Sequence, residues 1–185
     1  YGLMDKYKNS DSYSMATLSN DYITKEIMIS GWYEKPFLAL LNLLIGNRDI
    51  NSDVAYVVDV GANIGNHSLY LSRIVDHVVS VEPNPVCVHL MNASIAINNV
   101  KNITVVEKAA GSLKGTASLT FDTKHTGGGT LLDIEPDTDV RCVPVNIDTL
   151  DNISNECVPK NASIKLLKID AEGFEVEVLR GAQAL

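Results

Sequence analysis

The chain has 185 residues, 45% hydrophobic and 21% charged, a balance that suits one folded domain with a short extension and excludes a disordered chain. Against 15 Lys and Arg stand 23 Asp and Glu, and the net charge of −8 excludes a surface built to bind DNA, RNA or an anionic membrane. No apolar run approaches the roughly 18 residues that span a bilayer. Cys87, Cys142 and Cys157 follow no metal or disulfide spacing, so they read as buried small apolar residues in a reducing, cytoplasmic setting.

Residues 1–50 read as an N-terminal arm and helical lead-in, and residues 51–185 as the main domain. Tyr1–Asn20 is polar and aperiodic, a loose arm. Tyr22–Ile29 suits a short helix. Glu34–Ile45 suits a second, with Pro36 in its first turn, Gly46 and Asn47 at its end, and the run Phe37–Ile45 buried. Ala55–Val60 is a short apolar run closed by a glycine turn, the pattern of a buried parallel strand. Gly65–Ile74 has helical spacing, with Leu69, Leu71 and Ile74 apolar, and His77–Val81 is a second strand.

Asn84 and Pro85 then suit the cap and first position of a helix whose apolar face is Val86, Leu90, Ala93 and Ile97. Asn98 and Asn99 close that helix, and Ile103–Val106 is a third strand. Strands alternating with helices in this order predict an α/β fold with a doubly wound, mostly parallel sheet. Thr116–Phe121 and Val140–Ile147 look like strands of a hairpin-like insertion, with Gly127, Gly128 and Gly129 and the acidic stretch Asp133–Asp139 between them. Asp148–Pro159 reads as a linker, Ile164–Ile169 as a buried strand, and Gly173–Gly181 as a helix with Val176 and Leu179 inward.

The sharpest local signal is Val57-Val58-Asp59-Val60-Gly61-Ala62-Asn63-Ile64-Gly65. A strand delivers an acid, then a glycine-rich turn, then a helix. Gly61 and Gly65 let a cofactor approach the backbone, and Asn63 tolerates left-handed geometry. The spacing G-x-x-x-G fails the dinucleotide fingerprint G-x-G-x-x-G. Asp59 before the turn can face an ammonium group, directly or through water. Glu82 at the end of the second strand can accept hydrogen bonds from both ribose hydroxyls. Two acids around a glycine turn point to S-adenosylmethionine. Two other readings stay open: a non-catalytic module that binds S-adenosylmethionine or another small molecule, and an NAD-binding oxidoreductase.

Asp170 ends the last core strand, at the sheet edge where α/β folds place ligands. It is a candidate general base or hydrogen-bond partner for an acceptor, with Glu172 assisting. Two carboxylates do not make a metal site, and no metal is expected. His67, in the first helical turn after the glycine loop, reads as loop packing more than as a base. Lys168, in an apolar strand, needs a carboxylate partner if buried.

The chain resembles the FkbM family of S-adenosylmethionine-dependent methyltransferases. The resemblance is carried by Gly31-Trp32-Tyr33-Glu34, by Asp59 to His67, by Val81-Glu82-Pro83-Asn84, by Ala109-Ala110-Gly111, and by Leu166 to Glu175. Ala171 and Phe174 depart from the commoner Val and Ala. The resemblance implies a class I, Rossmann-like methyltransferase fold and methyl transfer to a hydroxyl of a sugar, polyketide or related small molecule. It implies a cofactor site of Glu34, Asp59, Gly61, Asn63, Gly65, Asn66, Glu82, Pro83, Asn84 and Ala109. Such folds carry further strands than this chain supplies after Ile169, and the chain starts at Tyr1 and not at Met. Truncation at the C-terminal end and a removed leader are therefore expectations.

Overall fold

The computed structural model describes residues 13–19, 21–45, 53–122, 131 and 140–185. Two helices come first, α1 (Tyr22–Ser30) and α2 (Lys35–Ile45). The core then alternates β1 (Val54–Val60), α3 (Asn66–Leu71), β2 (His77–Val81), α4 (Pro85–Ile97) and β3 (Ile103–Val106). A two-residue strand β4 (Ala109–Ala110), β5 (Gly115–Asp122) and β6 (Val140–Asp148) follow, then α5 (Leu150–Cys157), β7 (Ala162–Ile169) and α6 (Glu175–Arg180).

The main sheet has the order β3-β2-β1-β7, and all its pairs are parallel. Parallel strands need crossovers, and the crossovers cover both faces. On one face, Val57 and Val78 pack with Leu38 and Leu41 of α2 and Leu69 and Leu71 of α3. On the other, Val58, Val79 and Val81 pack with Leu150 and Ile153 of α5 and Val178 of α6. Cover on both faces explains why β1 reads as one apolar run instead of an alternation. Each such side chain contributes about 1.5–3 kcal/mol on burial. The second sheet, β4-β6-β5, joins a parallel β4–β6 pair to an antiparallel β5–β6 hairpin, as the insertion pattern implies. The fold is α/β with a doubly wound parallel sheet. No helix among the described residues is long and apolar enough to cross a membrane.

Several local expectations are corrected. Asp148–Pro159 is not a linker: Thr149 caps α5 by accepting from the Asn152 N–H, and Leu150, Ile153 and Ser154 are its buried side. The buried face of α4 is Cys87, Val88, Met91 and Ser94, and Ile97 is exposed, because this helix is apolar nearly all round and its phase is set by its neighbours. In α6 only Val178 is buried, while Val176 and Leu179 face outward. In α2, Leu38, Leu41 and Ile45 are buried but Leu43 and Leu44 are exposed. Cys142 is exposed, whereas Cys87 is buried.

Residues 13–19 do not form a loose arm. The Asn98 side chain accepts from the Ser14 N–H and donates to the Ser14 carbonyl, and Ser94 Oγ accepts from the Ala16 N–H. Tyr13 packs edge-on against Trp32. The first part of that arm, the end assigned to α2 at Gly46-Asn47, the three glycines and the acidic stretch lie outside the described residues.

Candidate active site

The carboxyl ends of β1, β2 and β7 meet at one place, and the turn after β1 is shaped by that convergence. Gly61 donates its N–H to the Val81 carbonyl at 2.9 Å, which joins the turn to β2. The Asp170 N–H donates to the Val60 carbonyl at 3.0 Å, which joins β7 to β1. Gly61 has φ 71°, and a Cβ there would lie 1.8 Å from the Asp170 carbonyl oxygen. Asn63 adopts left-handed φ 52°, the geometry its short amide tolerates. Gly65 has φ 85°, and a Cβ there would lie 2.5 Å from Met91 Cγ of α4. Gly65 is thus a packing glycine and does not line the cavity described next.

That cavity, about 350 Å³, opens at these strand ends. Gly61, Asn63 and Asn66 line it from the turn, and Glu82, Pro83 and Asn84 from the end of β2. Ala109 lines it after β3, and Lys168, Asp170 and Glu172 from the end of β7. Glu82 is 7% exposed. Its Oε2 accepts from the Asn63 N–H at 2.9 Å and its Oε1 from the Asn84 N–H at 2.8 Å. Burial pushes this carboxyl up to about 7 even though both backbone donors favour its charged form. Asn84 also caps α4, accepting from the Val86 N–H.

Asp59 sits elsewhere than a direct ammonium contact requires. It is fully buried, does not line the cavity, and has both oxygens engaged. Oδ1 accepts from Lys168 Nζ at 2.9 Å, and Oδ2 accepts from Ser68 Oγ at 2.6 Å. Ser80 Oγ donates to Ser68 in turn. Burial alone would raise the Asp59 pKa, but the Lys168 charge, His67 and the Ser68 hydrogen bond hold it below the usual carboxylate range. Lys168 likewise loses from burial but stays above its ordinary value through Asp59. The carboxylate partner that a buried Lys168 requires is therefore Asp59. The group that reaches the cavity is Lys168, whose Nζ lies 3.9 Å from Asp170 Oδ2.

Asp170 is 61% exposed at the cavity mouth. Glu172 beside it is exposed and left-handed, with φ 48°. Its pKa is raised by partial burial and then by the charges of Asp170 and Glu175. Among the described residues no group of three His, Cys, Asp or Glu could hold a metal ion.

Glu34 does not line the cavity; it stands behind His67, with Oε2 3.3 Å from His67 Nε2. That contact lacks hydrogen-bond geometry, since Nε2 has no hydrogen-bond partner. Burial holds the His67 pKa below its usual value, although Asp59 and Glu34 pull it upward. The residues that the sequence does not announce are Asp21, Tyr22, Ile23 and Tyr33, which line the same cavity from α1 and the joint after it. Leu119 of β5 and Leu131 add an apolar wall. Asp21 is legible only as the N-cap of α1. Its distance along the chain from the glycine turn hides the rest.

Comparisons with known proteins identify the family. The family model described as Methyltransferase FkbM domain matches residues 59–185, more than half of the chain. The chain is 28% identical over 197 residues to "Methyltransferase sdnD" of Sordaria araneosa, covering 91% of this chain and 71% of that protein. It is 26% identical over 203 residues to "Methyltransferase 1" of Beauveria bassiana, covering 97% of this chain and 76% of that protein. A solved precorrin-6y C5,15-methyltransferase from Geobacter metallireducens overlaps 41% of this chain and 42% of its own, at 19% identity and a TM-score of 0.33, too little to add to the fold assignment. With its parallel sheet, its glycine turn and the match over residues 59–185, the chain belongs to the FkbM methyltransferase family.

Proposed function

We propose that the chain is an S-adenosylmethionine-dependent methyltransferase that methylates a hydroxyl oxygen of a small molecule or glycan. The observation that carries the reading is Glu82. A buried carboxylate, fixed by two backbone N–H groups on a cavity wall, is built to accept from a diol. The charge of the cavity fits as well. Asp21, Glu82, Asp170 and Glu172 line it against the ammonium of Lys168, which the buried Asp59 offsets, a setting that favours a sulfonium cation and repels a pyrophosphate. The same argument weighs against a dinucleotide cofactor.

In this reading Glu82 holds the ribose, and the backbone of Gly61 and Asn63 accommodates the amino acid end. Ala109, 3% exposed, leaves a flat wall for the adenine, and Pro83 and Asn84 border it. When bound, the cofactor supplies an activated methyl group with its own leaving group. The protein's work is to position the acceptor and keep water out. In the same reading Asp170 and Glu172, both on the cavity wall, accept hydrogen bonds from an acceptor hydroxyl. Asp59 acts indirectly, by fixing Lys168 at the cavity wall.

The test is incubation with S-adenosylmethionine carrying a labelled methyl group and a panel of hydroxylated acceptors. Label on an acceptor oxygen, lost in Glu82→Ala and reduced at least tenfold in Asp170→Asn, is the expected result. Protection of the fold by NADH and not by S-adenosylhomocysteine would contradict the reading.

A further inference from the structure

Asn66 lines the cavity, but its side chain is spent elsewhere. Its Oδ1 accepts from the Tyr33 N–H and its Nδ2 donates to the Tyr33 carbonyl, both at 3.0 Å. At 4% exposure the amide has no water to exchange for these bonds. The next residue repeats the attachment. The His67 ring stands edge-on to Tyr33 and Phe37, at centroid distances of 6.4 and 5.6 Å, with Glu34 at its Nε2.

The joint so gripped, between α1 and α2, is conformationally demanding. Gly31 has φ 86° and Glu34, a residue with a Cβ, has φ 51°. At its other end, α1 borders the cavity. Asp21, Tyr22 and Ile23 form part of its wall together with Tyr33, and Ile23 packs on Ile64 of the glycine turn. One amide thus connects the turn that the cofactor lies against to the segment that walls the cofactor in.

We propose that Asn66 is a positioning residue: it latches Tyr33 to the glycine turn so that the start of α1 completes the cofactor cavity, and its amide acts on cofactor retention through Tyr33. The inference rests on the S-adenosylmethionine reading of the cavity. It separates two ways of holding the lead-in. Leu38 and Leu41 anchor α2 to the core whatever Asn66 does, and Trp32 anchors the start of the joint. The latch governs the stretch ahead of α2, where α1 meets the cavity.

The experiment uses the full chain with S-adenosylhomocysteine as probe. Association and dissociation rates are measured by stopped flow, and amide exchange of residues 21–34 is followed by mass spectrometry. In Asn66→Ala the dissociation rate rises roughly tenfold, the equivalent of the two hydrogen bonds, while the association rate changes little. The exchange protection that residues 22–33 gain on binding is lost. Asn66→Ser, which stays neutral and can replace one of the two bonds, falls between. Tyr22→Ala, at a 62% exposed wall position that folding tolerates, also speeds dissociation, and less than additively with Asn66→Ala.

Unchanged dissociation and protection in Asn66→Ala, with only a lower unfolding midpoint, overturn the proposal. So does full additivity with Tyr22→Ala. Should Asn66→Ala fail to fold, Asn66→Ser and Tyr22→Ala decide by the same criteria. Failure of the unaltered protein to bind S-adenosylhomocysteine is a different result: it overturns the cofactor reading and this inference with it.

Discussion

At Gly61 there is room for a hydrogen and for nothing larger. A methyl group there would lie 1.8 Å from the Asp170 carbonyl oxygen, on backbone that already has positive φ. Gly61→Ala must therefore separate the ends of β1 and β7, and we expect a loss of about 3 kcal/mol or more in urea unfolding. The need for glycine was legible in the sequence as a turn, but the atom that enforces it was not, since Asp170 lies on a distant strand. Lys168 and Asp59 teach the same point. A lysine in an apolar strand announces that it needs a carboxylate. Asp59, however, looks like a cofactor contact as long as its partner is unknown. Lys168→Met leaves Asp59 buried without its cation, and should cost about 3–5 kcal/mol and raise the Asp59 pKa. Urea unfolding across pH checks both.

Glu82 makes a prediction about pH. Its carboxyl is raised to about 7 in the folded protein, against an ordinary value near 4.5. Below the ordinary value both states hold the proton. As pH rises from there, the unfolded chain ionises first, so stability falls until pH passes the folded value. The total is on the order of 3 kcal/mol, lost between about pH 4.5 and 8. On the proposed reading a ribose diol donates to the ionised form, so binding near pH 7 should release protons and tighten as pH rises. Calorimetry in two buffers of different ionisation enthalpy measures that release.

Elements were legible where a run and a boundary coincide. The strands β1, β2, β3 and β7 each stand between turn residues, and Asn84-Pro85 marks the start of α4. The phase of helices was less legible. α4 is apolar on most sides, so spacing cannot choose between Leu90 with Ile97 and Met91 with Ser94; the sheet and α1 choose. α6 has six residues, too few for a period to emerge. α5 hides behind Asn, Ser and Glu, although Thr149 followed by Leu150 and Ile153 was a usable signal. The segment 13–19 is held by Asn98 in the manner Asn66 holds Tyr33, through one side-chain amide and the backbone N–H and carbonyl of one residue. Asn98→Ala should free it at a cost of about 1 kcal/mol, read as faster amide exchange at Ser14 and Ala16 with an unchanged core.

At the scale of the molecule, the charge of −8 counts against a surface built for nucleic acid but does not reveal that the acidity extends into the cavity. Asp21 and Glu82 face one space from elements separated by two helices and a strand, a convergence only the folded chain displays. The division of the chain into lead-in and main domain also looks different in three dimensions. Leu38 and Leu41 share a core with Val57 and Leu69, and Ile23 packs with Ile64 and Cys87. The glycine turn, its acids and the α/β order could be read locally. The cavity's second wall could not.

The most direct measurement of the central claim is calorimetric titration of S-adenosylhomocysteine into the full chain and into Glu82→Ala. The account predicts a single site with micromolar affinity, weakened at least a hundredfold when the Glu82 carboxylate is removed, as loss of a buried charge-assisted pair of hydrogen bonds requires. Equal affinity in both proteins, or no binding by the folded unaltered chain, would contradict it.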